Sequence, residues 1–261
     1  MNEYVVVDGV EEAYQLLNQD KKNQIIAGGA WLKLSVKEVN KLISLDHLSL
    51  NYINEKKDFI EIGALTTLRD IEMNPLIKDL DHGILSEAIS KIMGVNIRNL
   101  ATIGGSVMGK FSFSDILPVL LVMDCTLYFH HKGEMGIEEF VSTRGHERDV
   151  LTHIKIKKQR RKSFFKRVAH TALDFSMINM AIVYDKNFTI SVGSQPGMAM
   201  LCKETMSFLN KVEKFTEEVI EEALGIASNE LNLSSNLRAS KTYRQVLVKA
   251  YLRRGIRQVI K

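Results

Sequence analysis

The sequence predicts an α+β chain. Three observations carry this. Short apolar runs with strand-like composition recur through the first half, at Ile25-Ile26, Leu42–Leu45, Phe59–Ala64 and Val150–Ile156. Three strand candidates then follow one another, Ser163–Val168, Met177–Tyr184 and Phe188–Val192. The chain ends in a stretch of helical period. In order, Asp8 with Glu11 fits a capping box that opens a helix through Leu16-Leu17. Ile25-Ile26 runs as a buried strand into a glycine pair. Thr66 or Thr67 caps a helix after the Phe59–Ala64 strand, and Pro75 stops it. A helix is expected through Leu85–Met93, and another over Asp115–Met123, with Ser114 as its cap and Pro118 near its first turn. Thr126–Phe129 is a strand, and Val150–Ile156 alternates as a strand should. Asp185-Lys186-Asn187 is a hairpin turn. Tyr243, Val246, Leu247, Ala250 and Tyr251 follow i, i+3, i+4, i+7, i+8 spacing and predict one docked helix face.

Composition narrows the function classes. A chain of 261 residues that is 45% hydrophobic can build a real core and two domains. A net charge of +4, from 35 basic and 31 acidic side chains, is no nucleic-acid signature. The two cysteines, Cys125 and Cys202, cannot supply the four thiolates of an iron–sulfur cluster, and no C-x-x-C pair suggests structural zinc. They read as reduced, buried thiols of a cytoplasmic protein. The histidines show no metal-ligand spacing, so no metal is expected, and His130-His131 reads as a strand end at the surface. Nothing at the N-terminus resembles a signal peptide, and no apolar run reaches the ~18 residues of a membrane span.

Two glycine pairs, each behind an apolar stretch, carry the functional signal. One is Ile25-Ile26-Ala27-Gly28-Gly29-Ala30-Trp31-Leu32; the other is Ala101-Thr102-Ile103-Gly104-Gly105-Ser106. Glycine lets backbone approach a ligand closely and lets successive N–H groups converge on an anion. Two such loops suggest a large ligand gripped twice, and a dinucleotide pyrophosphate is the obvious candidate. A competing pattern overlaps the second loop. Gly104-x-x-x-x-Gly109-Lys110 matches most of a Walker A motif, and Val119–Asp124 resembles a Walker B strand. The magnesium-binding Ser/Thr is replaced by Phe111, and the spacing to Val119 is too short for a parallel crossover.

The ordered set of motifs resembles the FAD-binding medium subunit of the molybdenum hydroxylases, the family of xanthine and carbon monoxide dehydrogenase flavoproteins. It comprises Ala27-Gly28-Gly29 with Leu32, Leu42-Ile43-Ser44-Leu45-Asp46 and Ile60–Thr67. Further on come Ile97-Arg98-Asn99 with Thr102-Ile103-Gly104-Gly105, Ser114-Asp115 with Pro118, and Arg238-Ala239-Ser240 with Tyr243-Arg244. The resemblance implies a two-part FAD domain of the vanillyl-alcohol-oxidase type over residues 1–158, with parts near 1–55 and 56–158, and a smaller α+β domain over 163–261. It implies FAD on this chain, with molybdopterin and two [2Fe–2S] clusters on partner subunits. Electrons would pass from iron–sulfur to the flavin and on to NAD⁺ or a similar acceptor. No catalytic residue beyond the flavin is expected, and no nucleic-acid or membrane partner.

Carried over by position, Ile25, Ile26, Ala27, Gly28, Gly29, Ala30, Trp31 and Leu32 would wrap the pyrophosphate. Thr102, Gly104, Gly105 and Ser106 would form the second contact. Asp115 would hold a polar part of the cofactor, and Leu151 and Lys166 would lie beside the flavin. A cation there can stabilise charge on a reduced ring; Lys166 also reads as one member of a solvated basic run. Trp31 reads equally as cofactor packing or as core, and Phe175 as a flavin shield or as a core strand residue. His170, four residues after Lys166, would share its strand face. The family's Asn is here Ser106, and its proline-containing loop is here Phe111-Ser112-Phe113-Ser114-Asp115, which opens the alternative of a flavin-poor scaffold subunit. The basic run Lys155–Arg167 lacks interleaved nucleic-acid motifs and reads either as a partner-docking edge or as a solvated domain junction.

Overall fold

A computed structural model describes residues 3–30, 38–143, 145 and 148–261. The chain forms two units that interleave in sequence. Met1–Ile71, Gly94–Lys110 and Cys125–Lys158 make the first; Glu72–Met93, Phe111–Asp124 and Gln159–Lys261 make the second.

The first unit opens with β1 (Glu3–Val6), α1 (Val10–Gln19), β2 (Gln24–Ile26) and β3 (Lys41–Ser44). The three strands form a parallel sheet in the order β1-β3-β2, with Tyr4 opposite Leu42 and Ile25 opposite Ile43. Parallel pairing demands a crossover, and α1 supplies it. Ala13 and Leu17 pack with Val7, Ile43, Leu45 and Val150. The expected capping box is not formed. Gly9 is the N-cap, and Glu12, one residue beyond the expected Glu11, accepts from the Asp8 N–H at 3.2 Å. Glu11 instead meets His130 Nε2 at 2.7 Å, and Tyr14 stacks on His131 with centroids 4.9 Å apart. The histidine pair thus docks the outer face of α1.

The second sheet of this unit uses β4 (Ile53–Glu55), β5 (Phe59–Gly63), β6 (Cys125–Phe129), β7 (Gly133–Gly136) and β8 (Leu151–Lys157), antiparallel in the order β4-β5-β8-β6-β7. Period-two alternation sends Ile60, Ile62, Leu127, Ile154 and Ile156 to a fully buried face. A register shift at Tyr128/Phe129 brings Leu151 opposite Phe129, and both are buried.

The other face carries Glu61, His153, Lys155 and Tyr128. His153 stacks on Tyr128 at 4.4 Å, its Nε2 lies 3.7 Å from Glu61, and Lys155 Nζ sits 3.8 Å over the Tyr128 ring. Burial lowers the His153 pKa; Glu61 opposes this and Lys155 adds to it. A histidine whose folded pKa is depressed favours folding fully above its unfolded value of about 6.5. That contribution is lost as pH falls through this value toward the folded one. Denaturant midpoints should therefore drop below about pH 6.5 in the native chain, and the drop should shrink in His153→Phe, which keeps the stack. Equal pH profiles in the two chains would refute this role.

The second unit takes α2 (Leu68–Met73) at its last two residues, then α3 (Pro75–Asp79), α4 (Ile84–Ser90) and α7 (Leu117–Val122). Helices α5 (Val95–Arg98), α6 (Ile103–Met108) and α8 (Ile137–Ser142) belong to the first. The sheet of the second unit is β9 (Lys162–Val168), β10 (Ile178–Asp185), β11 (Asn187–Gly193) and β12 (Met200–Leu201), antiparallel in sequence order. Lys186, at φ +61°, turns β10 into β11. Helices α9 (Lys203–Leu209), α10 (Glu217–Glu230) and α11 (Lys241–Val259) build one core with this sheet, and α4 and α7 also pack on it. Residues 178–183 of β10 are therefore all buried.

Two expectations are corrected in this unit. Arg244, Leu247, Val248, Leu252, Gly255, Ile256 and Val259 form the buried side of α11, while Tyr243 and Val246 are exposed. The predicted stripe lies about a third of a turn from the one the sheet selects, and the two share Leu247. The basic run is largely solvent-exposed, at Lys157, Lys158, Arg160 and Lys162, but most of its charges are paired. Lys155 and Lys158 face Glu61 and Glu55 in the first unit; Arg160, Arg161 and Arg167 pair with Asp79, Asp81 and Asp115 in the second. Arg161 grips the buried Asp81 through Nε at 3.1 Å and an Nη at 2.6 Å.

Candidate functional site

The first glycine loop leaves β2 at Ile26. A Cβ on Gly28 would lie 1.4 Å from the Leu100 carbonyl oxygen, so Gly28 is seated on backbone just ahead of the second glycine pair. Gly29 is left-handed, at φ +64°, which turns the chain at little cost. Among the described residues, the amides of residues 27–30 meet no backbone acceptor. Trp31 and Leu32 lie outside the described residues.

The second loop is the start of a helix. Thr102 caps α6, and its Oγ1 accepts from Gly105 N–H at 3.2 Å. The Gly63–Thr67 segment buttresses it. Ile103 N–H donates to Thr66 O at 3.0 Å and Gly104 N–H to Ala64 O at 2.9 Å. Ser106 N–H and Oγ both donate to Thr102 O. The expectation of convergent free amides at 104–106 is thus corrected: those donors are spent on the fold. Gly104 has no room for a side chain, since a Cβ would lie 2.7 Å from Ala64 O. Gly105 is different. It is exposed, and a Cβ there meets nothing closer than Thr102 Oγ1 at 3.2 Å. In each pair the first glycine, Gly28 or Gly104, lies against a distant backbone carbonyl; of the second ones, Gly29 turns the chain and Gly105 is exposed. The amides of residues 27–30 are thus the donors left for an anionic ligand, since those of residues 103–106 are spent on the fold.

The Walker reading fails on geometry. Lys110 follows the helix instead of preceding it, and its Nζ donates to the carbonyls of Thr143 and Gly145 and lies 4.1 Å over the Phe140 ring. The supposed Walker B strand is helix α7.

In the second unit, Asp115 is buried. Oδ2 accepts from Arg167 Nε at 3.0 Å, and Oδ1 accepts from Ser176 Oγ at 2.5 Å and Asn179 Nδ2 at 2.6 Å. Burial pushes its carboxyl above the usual range, against the pull of those three donors. Lys166, on β9, places its Nζ 5.0 Å from the Tyr251 ring. His170 does not share its face: β9 ends at Val168, and His170 Nε2 lies 2.8 Å from Arg238 O. Phe113 stacks on Phe111 at 5.1 Å and meets the Phe175 ring at a tilt, centroids 4.0 Å apart, with Arg238 5.1 Å from the Phe175 ring, so the two aromatics of this loop join the segment that contains Asp174 and Phe175. Arg244 is a residue whose task the sequence concealed. Fully buried, it donates to the carbonyls of Met177, Ser234 and Ala239 and to Asn236 Oδ1. A charge at a core position of the last helix was the available signal.

Cys125 and Cys202 are free and buried, and burial pushes both thiols up, away from reactivity. Among the described residues no group of three His, Cys, Asp or Glu could hold a metal ion, and no helix is long and apolar enough to cross a membrane.

An α+β chain with two glycine loops joined through Gly28 and Leu100 defines the class of a dinucleotide-cofactor protein. The family comparison makes this specific: residues 1–158 match the FAD binding domain in molybdopterin dehydrogenase and residues 163–259 the CO dehydrogenase flavoprotein C-terminal domain, so the chain belongs to the flavoprotein family of the molybdenum hydroxylases. It is 23% identical to the glyceraldehyde dehydrogenase medium chain of Sulfolobus acidocaldarius, across 98% of this chain and 97% of that one. It is 29% identical to the nicotinate dehydrogenase FAD-subunit of Eubacterium barkeri, across 70% and 69%. Among solved structures, quinoline 2-oxidoreductase from Pseudomonas putida 86 shares the fold with a TM-score of 0.89 at 21% identity, covering 99% of this chain and 96% of that one. FAD is the cofactor of this family, and its members are oxidoreductase subunits.

Proposed function

We propose that this chain is the electron-transfer subunit of a multi-subunit molybdenum hydroxylase, working in the cytoplasm. It would take electrons from a [2Fe–2S] partner whose own source is a molybdopterin subunit, and pass them to NAD⁺ or a similar acceptor. The observation that carries the reading is the pairing of the two glycine loops in the first unit, through Gly28 and Leu100. Bound FAD supplies the two-electron redox chemistry. The chain's part is to bind and orient it.

Residues 27–30 would present backbone amides to the pyrophosphate, at the end of the strand that carries Ile25 and Ile26, and Gly105 would admit the ligand where a side chain would stand in the way. Thr102, Gly104 and Ser106 hold that helix start in place through the bonds they make to one another and to Ala64. Leu151 contributes an apolar wall, and Lys166 a positive charge that favours electron uptake. Asp115 is proposed as a polar contact whose carboxylate is already oriented by Arg167, Ser176 and Asn179.

The test is the visible spectrum of the freshly purified chain, with chromatography of released cofactor. FAD near unit ratio, reducible by NADH, is the expected outcome. A colourless chain that takes up no FAD even beside its iron–sulfur partner would replace this reading with the scaffold.

A further inference from the structure

Within the basic run, Lys155, Arg161, Lys166 and Arg167 are half-buried. Lys155, Arg161 and Arg167 each meet a carboxylate, of Glu61, Asp81 and Asp115. Lys166 forms no ion pair among the described residues; its partner is an aromatic ring. Strand β9 lies at the edge of its sheet, and alternation puts Lys166 on the same side as Phe164 and Val168. Those two pack against the core that α11 closes, and so does Tyr251. The Lys166 Nζ reaches the Tyr251 ring there, 5.0 Å from its centroid. Arg254, one turn farther along α11, lies 4.9 Å from the same ring and is also without an ion pair among the described residues. On α4, desolvation raises the Glu87 carboxyl pKa more than Lys91 and Lys166 lower it, and no ion pair joins Glu87 to either lysine.

A ring and a carboxylate hold an ammonium with different electrical results. A carboxylate cancels the charge it holds. An aromatic face attracts the cation through its quadrupole and leaves the full charge in place. Lys166 and Arg254 repel one another, and the ring they share offsets part of that repulsion. A cation that favours electron uptake acts through its field, so it has to be fixed without being neutralised. Bonded as Arg161 is to Asp81, Lys166 would lose that field.

We infer that Tyr251 is a positioning residue for reduction of the flavin: its ring clamps Lys166 without neutralising it, and Arg254 adds a second charge at the same ring. The inference rests on the reading above that Lys166 lies beside the bound cofactor.

The experiment measures the midpoint potential of FAD on the purified full chain by reductive titration, with the unfolding midpoint read on the same samples. Lys166→Met is the reference. It should weaken binding of the reduced cofactor about tenfold relative to the oxidised one, a fall of about 30 mV for a two-electron couple. Tyr251→Leu and Tyr251→Met, two variants without the ring, should each reproduce most of that fall. Tyr251→Phe keeps the ring and should keep the native potential. Tyr251→Leu added to Lys166→Met should shift it no further. Arg254→Gln, at an exposed position, should give a smaller fall that fades as salt is added. If Lys166→Met lowers the potential and neither ringless variant does, the clamp is refuted while the flavin-side reading of Lys166 stands. If Tyr251→Leu shifts the potential equally with and without Lys166, Tyr251 acts through the fold and the inference is overturned. A native potential in Lys166→Met would remove Lys166 from the flavin, and a chain that binds no FAD would remove the flavoprotein reading; the inference falls in both cases.

Discussion

Arg244→Met is expected to destabilise the second unit by about 3–5 kcal/mol, because it leaves several buried acceptors unpaired at about 1–3 kcal/mol each. The guanidinium is 0% exposed and satisfies four acceptors on three segments: Met177 O at the start of β10, Ser234 O and Asn236 Oδ1 in the loop before α11, and Ala239 O beside the helix cap. Methionine matches its length and leaves those acceptors to find water or strain. Burial, with Arg238 nearby, pulls the Arg244 pKa below its ordinary value, yet an arginine starts high enough to stay charged. Arg244→Lys should recover part of the loss only, because an ammonium cannot reproduce the planar fork that reaches several segments at once. Urea unfolding followed by tryptophan-independent far-UV signal measures this, since Trp31 is the sole tryptophan. A native midpoint in Arg244→Met would show that the loop is held by its neighbours instead.

The second large effect separates fold from binding within the glycine pairs. In Gly28→Ala the new methyl would occupy the Leu100 carbonyl, at 1.4 Å, so the two loops must part. Loss of FAD and a fall in stability are expected together. Gly105→Val should behave otherwise. Its Cβ needs a few tenths of an ångström from Thr102 Oγ1, and a helical position gains from replacing glycine. Stability should stay within about 1 kcal/mol of native, while FAD affinity drops by at least about tenfold because backbone approach is blocked. Cofactor content and unfolding midpoint, read on the same samples, check both. A Gly105→Val chain that keeps its FAD would remove the α6 start from the binding site.

Much of this was legible along the chain. The strands at 59–63, 151–157, 178–185 and 187–193 were visible because apolar alternation and short uninterrupted apolar runs are local signals. The Thr67 and Ser114 caps follow the same logic, as side chains that bond a backbone N–H three residues on. Order and spacing of the glycine motifs pointed to the family, and the family match covers the same segments. Strands β1, β4 and β7 were not seen, since they are short edge elements that exist through pairing with β3, β5 and β6.

What residues are present, which stretches alternate and where helices start were determined by the sequence itself, because each depends on neighbours a few positions away. Which side of α11 is buried, which glycine of each pair lies against a distant carbonyl, and which acid each basic residue meets were decided by the tertiary structure alone. The partners lie far off in the chain: Gly28 with Leu100, Gly104 with Ala64, Arg161 with Asp81, Arg167 with Asp115. Apolar residues and cations look alike whether buried or solvated until a second segment arrives, and desolvation then chooses among them.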